Sequence, residues 1–173
     1  DVYGDVFICT SGTATIDAYI SGNVFICASS VEISENSQIT SSLFTTSETL
    51  NILGVIEGNV YSLCQNFNLA KDANIDYDLF VSSKNVNLNG LIYRDANISS
   101  QDIKISETAY IYGNLEYSSE KEISIPEGVV SGNVKYNNTT FTPKTTNLGK
   151  VDEFIYSTFS LIVIAIIVFA ICK

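Results

Sequence analysis

The residues best suited to chemistry are three carboxylates in turn-like surroundings. Asp76 and Asp78 flank Tyr77, and Asp95 follows 17 positions after Asp78. Such side chains could hold a calcium ion, or could form the acidic centre of a polysaccharide lyase. A lyase centre also needs Arg or Lys beside the acids, and Arg94 is the only arginine in the chain. We therefore expect solvated turn residues here, with neither a catalytic nor a metal site.

The residue types that the chain lacks exclude several functional classes. There is no histidine, which excludes a Ser-His or Cys-His nucleophile, an imidazole base and a His metal ligand. The net charge of −10 argues against nucleic acid as a partner, because phosphate contacts need Lys and Arg. The absence of methionine predicts a fragment or a mature form without its leader. We predict a protein that is not an enzyme and that uses no cofactor.

Two of the four cysteines lie in copies of one motif. "GDVFIC" ends at Cys9 and "GNVFIC" ends at Cys27, and the chain contains no CxxC that would indicate a zinc or redox site. If the copies stack, the two Cα atoms could lie within disulfide range. Alternatively, both thiols are small apolar residues in a ladder. We favour the second interpretation, because stacked parallel strands rarely orient their Cβ atoms for a bridge.

The motif belongs to a repeat that runs through most of the chain. Its anchor positions are 17 to 19 residues apart, at Gly4, Gly22, Ser41, Gly58, Tyr77, Arg94, Gly113 and Gly132. The position two residues before each anchor is always Val or Ile. The position directly after the anchor is Asp, Asn or Ser, and the position after that is Val, Leu or Ala. Three columns that persist over eight copies indicate a stacked repeat architecture.

Each copy carries a second pair of apolar residues two positions apart, the period of a strand with one buried face. The pairs are Ala14/Ile16, Val31/Ile33, Leu50/Ile52, Phe67/Leu69, Val86/Leu88, Ile103/Ile105 and Ile123/Ile125. Such units bury their apolar faces only when stacked. The sequence therefore predicts an all-β fold over residues 1–136, a right-handed parallel β-helix of about eight turns. The irregular turn length favours the right hand over a left-handed hexapeptide helix.

The chain changes character after residue 136. Residues 137–152 are rich in Asn, Thr, Lys and Pro, which is typical of a polar linker. Residues 154–172 then contain no charged side chain over a length that suits a membrane-spanning helix. A lone strand would leave its backbone groups unpaired in lipid, so we predict one transmembrane α-helix over residues 153–173.

Several stretches resemble the bactofilins. They are "GDVFI", "GNVFICASSVEI" and "YIYGNLEYSSEKEISIPEGVVSGNVKY", the last being followed by the hydrophobic run. The chain is most similar to the membrane-anchored bacterial members of the polymer-forming cytoskeletal type. The resemblance covers residues 1 to about 136 and implies a right-handed β-helix that assembles without nucleotide, in a scaffold for cell shape or envelope organisation. The resemblance implies no catalytic residues. The chain differs from cytoplasmic bactofilins in having the hydrophobic run after the β-helix.

Two surfaces are candidates for self-association. Three residues after the first five anchors the chain has an aromatic side chain, at Phe7, Phe25, Phe44, Tyr61 and Phe80. Alternation predicts an exposed stripe, although a local corner could instead turn the rings into the core. The second surface is the N-terminal end, where Val2, Val6 and Ile8 would form an open face on the first turn. We expect this end to pair head to head with a second copy.

These features together predict a non-enzymatic structural scaffold in a bacterial cell membrane. Its partners would be further copies of itself, membrane lipid through residues 153–173, and other envelope proteins. The resemblance favours a β-helix outside the cytoplasm. A surface adhesin or ligand-binding β-helix is the first alternative, and a carbohydrate-active β-helix enzyme is the second.

Overall fold

The computed structural model describes residues 1–139, which form a parallel β-solenoid. This region of the chain contains no helix, and every strand pair in it is parallel. The strands are β1 (Val6–Cys9), β2 (Thr13–Ile16), β3 (Tyr19–Ile20), β4 (Val24–Cys27), β5 (Ser30–Ile33), β6 (Gln38–Ile39), β7 (Leu43–Thr46), β8 (Thr49–Ile52), β9 (Val55–Ile56), β10 (Val60–Leu69), β11 (Asn74–Ile75), β12 (Leu79–Leu88), β13 (Leu91–Ile92), β14 (Ala96–Ile105), β15 (Tyr110–Ile111), β16 (Leu115–Ser119) and β17 (Val134–Asn138).

The strands form three faces. The first face stacks β1, β4, β7, β10, β12, β14, β16 and β17 in that order, and β3, β6, β9, β11, β13 and β15 form the third face. The second face is made by β2, β5 and β8 together with the later halves of the three ten-residue strands. The predicted parallel β-helix is confirmed. The eight sequence copies give eight first-face strands but about seven turns, because the last copy ends with its first-face strand.

The register of the strands confirms the predicted columns. Val6 pairs with Val24, and the column continues through Leu43 and Val60 to Val134. The β-branched column before the anchors is likewise continuous on the third face, where every member between its two ends is almost fully buried: Ile20, Ile39, Ile56, Ile75, Ile92 and Ile111. Full burial of one such side chain contributes roughly 1.5–3 kcal/mol, so these ladders dominate the stability of the solenoid.

The interior also contains a polar pair that the sequence pattern did not predict. Thr45 and Ser62 occupy an inward column between Ile26 and Val81, and each is only 4% exposed. The Thr45 hydroxyl donates a hydrogen bond to Oγ of Ser62 across adjacent turns, at 2.9 Å. Burial of either hydroxyl alone would be costly, and the mutual bond removes that cost.

The corner between the third and first faces, called the first corner, carries a polar ladder. Its side chains are Asp5, Asn23, Ser42, Asn59, Asp78, Asp95, Asn114 and Asn133. At each step a side-chain oxygen accepts a hydrogen bond from the backbone N–H of the equivalent residue one turn later, over 2.7–3.2 Å. This is the reason for the small polar column in the sequence: the side chains replace the strand ladder where the backbone turns.

Close approach between turns accounts for most of the anchor glycines. A Cβ atom on Gly22 or Gly58 would collide with the backbone of the preceding turn. Gly4 is the anchor with a left-handed backbone, at φ 137°. Positive φ and close approach therefore both occur among the anchor glycines, with close approach the more frequent.

The third corner, between the second and third faces, explains most of the variable repeat length. Two residues separate β8 from β9, whereas four separate β10 from β11. The two-residue form of this corner contains Gly54 or Gly90. A Cβ atom on either glycine would collide with carbonyl oxygens of the four-residue corner in the preceding turn. Turns of 17 and 19 residues thus differ by two residues at one corner, while the strands on either side keep their register.

The last turn departs from the prediction. Ile123 and Ile125, expected as a strand pair, lie outside any strand and pack half-buried against the core. Pro126 follows directly and has no N–H for a ladder, which explains why pairing stops here. β17 continues to Asn138, two residues past the expected end of the solenoid.

Residues 1–139 contain no helix that is long and apolar enough to cross a membrane. The predicted transmembrane helix at 153–173 lies outside the described residues, as does the predicted linker from residue 140 onward. Both therefore stay predictions from the sequence.

Candidate functional site

The five predicted aromatic side chains form a stacked ladder on the outside of the first face. Successive rings have centroids 4.7, 4.8, 4.9 and 5.0 Å apart and planes within 3–7° of each other. Phe7 is 48% exposed and Phe80 is 39% exposed. The rings therefore point outward, and the alternative of an aromatic core stack is wrong.

The outer side of this region of the first face is also free of charge. The outward residues next to the rings, two positions further along each strand, are Cys9, Cys27, Thr46, Leu63 and Ser82. Leu63 is 54% exposed. In a chain with a net charge of −10, an uncharged, aromatic sheet face over five turns is the region of the described surface best suited to contact another protein.

The same column becomes polar after Phe80, with Asn97, Glu116 and Lys135. Lys135 Nζ lies 2.7 Å from Oε1 of Glu116, and Asn137 donates to the same oxygen at 2.9 Å. The hydrogen bonds from Lys135 and Asn137 lower the pKa of the Glu116 carboxyl. An exposed pair of this kind adds little stability, so it marks the edge of the uncharged face.

The predicted end-face residues are only partly covered. Val2 is 40% exposed, and Val6 and Ile8 are half-buried. Their partners one turn later, Ile20, Val24 and Ile26, are at most 1% exposed. The apolar interior of the solenoid is thus accessible at this end of the described structure.

Cys9 and Cys27 are free thiols at directly paired positions of β1 and β4. Cys9 is exposed and Cys27 is 8% exposed. Burial, with a smaller contribution from the neighbouring Cys9 thiol, raises the pKa of Cys27. Cys27 is therefore a poor nucleophile, which suits a packing role.

The three candidate carboxylates separate into two environments. Asp78 and Asp95 belong to the first-corner ladder, and Nε of Arg94 lies 3.3 Å from Oδ1 of Asp78. Asp76 is half-buried on the third face, where burial and the nearby Glu57 carboxylate raise its pKa. Within residues 1–139 no cluster of acidic or cysteine side chains is arranged to hold a metal ion. Asp78 and Asp95 therefore have structural partners in the first-corner ladder.

The structure also contains a tyrosine cluster that the repeat columns did not predict. The rings of Tyr93 and Tyr112 stack at 5.0 Å with planes 2° apart, and Tyr110 meets Tyr112 edge-on at 4.5 Å. Arg94 lies over the ring of Tyr77, 5.2 Å from its centroid. Tyr93 and Tyr112 both directly precede an anchor, and their 19-residue spacing was a usable signal.

Comparison of the chain with protein-family models, with curated proteins and with solved structures gives no match in any of the three. The strongest features are the outward aromatic ladder and the polar first corner beside it.

Proposed function

We propose that the protein is a non-enzymatic, self-associating structural scaffold of a bacterial cell membrane, similar in role to the bactofilins. In this proposal a right-handed β-helix outside the cytoplasm is anchored by residues 153–173 and organises the envelope with further copies and other envelope proteins. The right hand follows from the strong preference of parallel β-crossover connections. The observation that carries the proposal is the uncharged aromatic ladder on the first face.

A second copy of the chain is the occupant that best fits this face. Ring planes within 3–7° of each other indicate little twist between neighbouring strands, and flat sheets pack well face to face. Two acidic copies would repel each other elsewhere on their surfaces, but the uncharged, aromatic parts of their first faces can meet without placing like charges opposite one another. A two-fold contact between identical faces also closes on itself.

Substitution in the middle of the ladder tests this contact. We expect Phe44→Lys to abolish the contact between first faces in the full chain, kept in detergent, and so to lower its assembled mass, because the substitution places a charge in the centre of the face. Tyr112→Lys, which changes an exposed aromatic residue just after the third-face strand β15, should leave association intact. Sedimentation velocity measures both. A wild-type chain that stays monomeric, or a Phe44→Lys chain whose assembled mass equals that of the wild type, would overturn the proposed contact.

The membrane anchor is supported by the uncharged run from Phe154 to Cys172. The full chain should partition with membranes and resist alkaline extraction, whereas deletion of residues 151–173 should release it into the aqueous phase. Recovery of the intact chain in the aqueous phase would contradict the anchor and would leave the first-face contact unaffected.

End-to-end pairing through Val2, Val6 and Ile8 is the second contact in the proposal. It would cover apolar side chains that are partly exposed at the N-terminal end. Val6→Lys should lower the assembled mass beyond the effect of Phe44→Lys alone, because the two surfaces are separate. Equal masses for the single and double variants would remove the end face from the proposal.

A further inference from the structure

An open groove of about 470 Å³ runs along the first corner beyond the aromatic ladder. Its lining includes Asp78, Phe80, Asp95, Asn97, Asn114 and Glu116. The groove crosses several successive turns, whose strands are about 4.8 Å apart, so it is elongated along the solenoid. Main-chain atoms of the strands beneath it are already paired with the neighbouring turns.

Phe80 closes one end of this groove, and within the described residues no aromatic ring stacks on the groove side of its ring. Tyr61 stacks on one side of the Phe80 ring at 5.0 Å. The strand partner on the other side is Asn97, whose shorter side chain cannot continue the stack. The ladder therefore ends in an aromatic platform that faces the groove, and the ring is 39% exposed.

Hydrogen-bonding groups surround the platform. Oδ1 of Asp95 accepts bonds from the backbone and the side chain of Asn114, at 2.7 and 3.0 Å. These bonds fix the Asp95 carboxylate while its second oxygen, Oδ2, makes no hydrogen bond within the described residues. Asn97 is exposed, and its amide has no partner there either. The site thus presents fixed acceptors and a free amide beside an apolar ring.

We propose that this groove binds a neutral polysaccharide, with one pyranose ring stacked on Phe80 and its hydroxyls bonded by Asp95 and Asn97. The C–H face of a pyranose suits an aromatic platform, and carboxylate and amide groups suit hydroxyls. Arg94 and Lys135 are already paired with Asp78 and Glu116, which leaves the Asp95 charge uncompensated. That charge disfavours anionic polymers such as polyuronates.

A second groove, on the second face, lacks these features. It encloses about 340 Å³ and is lined by polar side chains that include Asn66, Asn85 and Lys104. Its amides bond each other across turns, as Asn85 does to Asn66 at 2.8 Å, and it has no aromatic platform. Amides that already bond each other have few hydrogen-bonding atoms left for a sugar, and this groove offers no ring for stacking. We therefore assign the carbohydrate site to the first-corner groove.

Calorimetry on the full chain tests the site with defined probes: cellohexaose, laminarihexaose and chitohexaose as neutral glycans, and polygalacturonate as the anionic control. We expect at least one neutral hexasaccharide to bind and polygalacturonate to fail. Phe80→Ala should weaken binding by about tenfold or more, equivalent to ~1.4 kcal/mol. Tyr112→Ala, which removes an exposed ring outside the groove, should bind like the wild type.

A second variant, which adds an aromatic ring, distinguishes loss of the binding site from loss of the fold. Asn97→Tyr should extend the aromatic stack over Phe80 and keep the solenoid folded, but it should weaken binding, because the sugar loses the Asn97 amide and the last ring moves one turn along the groove. Absence of binding to all three neutral glycans, stronger binding of polygalacturonate, or full affinity in Asn97→Tyr would each overturn the proposal. Because Phe80 also belongs to the aromatic ladder of the first face, sedimentation velocity on the same variants measures self-association separately from glycan binding.

Discussion

The backbone N–H of Asn114 donates a 2.7 Å hydrogen bond to Oδ1 of Asp95, which lies one turn earlier. The same relationship joins every neighbouring pair along the first corner. Each side chain therefore satisfies the backbone of the next turn, and a substitution at one turn acts on the turn that follows it.

Replacement of Asn59 tests this ladder. Asn59→Ala would leave the backbone N–H of Asp78 without its 3.0 Å acceptor, and we expect a loss of about 1–3 kcal/mol in the free energy of unfolding. Asn59→Ser should cost clearly less, because the Ser42 hydroxyl already accepts the equivalent hydrogen bond in the preceding turn. Urea unfolding of the two variants makes the comparison. Equal stability of the Ala and Ser variants would mean that the ladder contributes nothing at this turn.

Ile56 tests the buried column of the third face, where it is fully buried between Ile39 and Ile75. Ile56→Asp should cost more than about 4 kcal/mol and unfold the solenoid, because it buries an unpaired charge. Ile56→Val should cost only about 0.5–1.5 kcal/mol. Circular dichroism during thermal unfolding distinguishes these results, and a folded Asp variant would contradict the column assignment.

Gly54 tests the third corner. Gly54→Ala would drive a methyl group against the carbonyl oxygens of Ser34 and Ser37, and we expect a cost of about 1–3 kcal/mol. Gly12→Ala is the matched control, since its nearest neighbour would be Thr10 Oγ1 at 3.8 Å. If both variants unfold at the same denaturant concentration, the short corner does not need glycine.

Asp76 tests the electrostatics of the third face. Burial and Glu57 raise its folded-state pKa above the unfolded value of 3.8, so ionisation of Asp76 opposes folding. The penalty appears as pH rises through the folded-state pKa and disappears below about 3.8. Asp76→Asn should therefore be more stable than the wild type at pH 7 and equally stable in acid. Glu35→Gln is the control, because it removes the same charge from an exposed position. We expect a gain in stability at pH 7 for Asp76→Asn and none for Glu35→Gln.

The sequence was sufficient to predict the strand register, because stacked copies must place like side chains above one another. The pairing of Val6 with Val24 and of Ile56 with Ile75 follows the predicted columns residue by residue. Alternation also placed the aromatic residues opposite the inward Val/Leu column, which is where the structure has them.

Other features depend on contacts that a hydropathy pattern does not contain. Thr45 and Ser62 are polar, and only their mutual hydrogen bond makes the interior acceptable for them. Ile123 and Ile125 have the spacing of a strand, yet the proline beside them stops the ladder. The spacing of Tyr93 and Tyr112 indicates their stacking, whereas the edge-on contact of Tyr110 with Tyr112 joins two different columns and is not contained in either.

The third corner has a further consequence, for protein engineering. Because turns of 17 and 19 residues differ there while β8 and β10 stay in register, this corner tolerates extra residues without disturbing the core. A peptide tag or epitope inserted between Glu35 and Asn36, both exposed in the longer corner, should be displayed on the outside of a folded solenoid. The same position would carry a fluorescent label away from the first face, so assembly could be followed without blocking it.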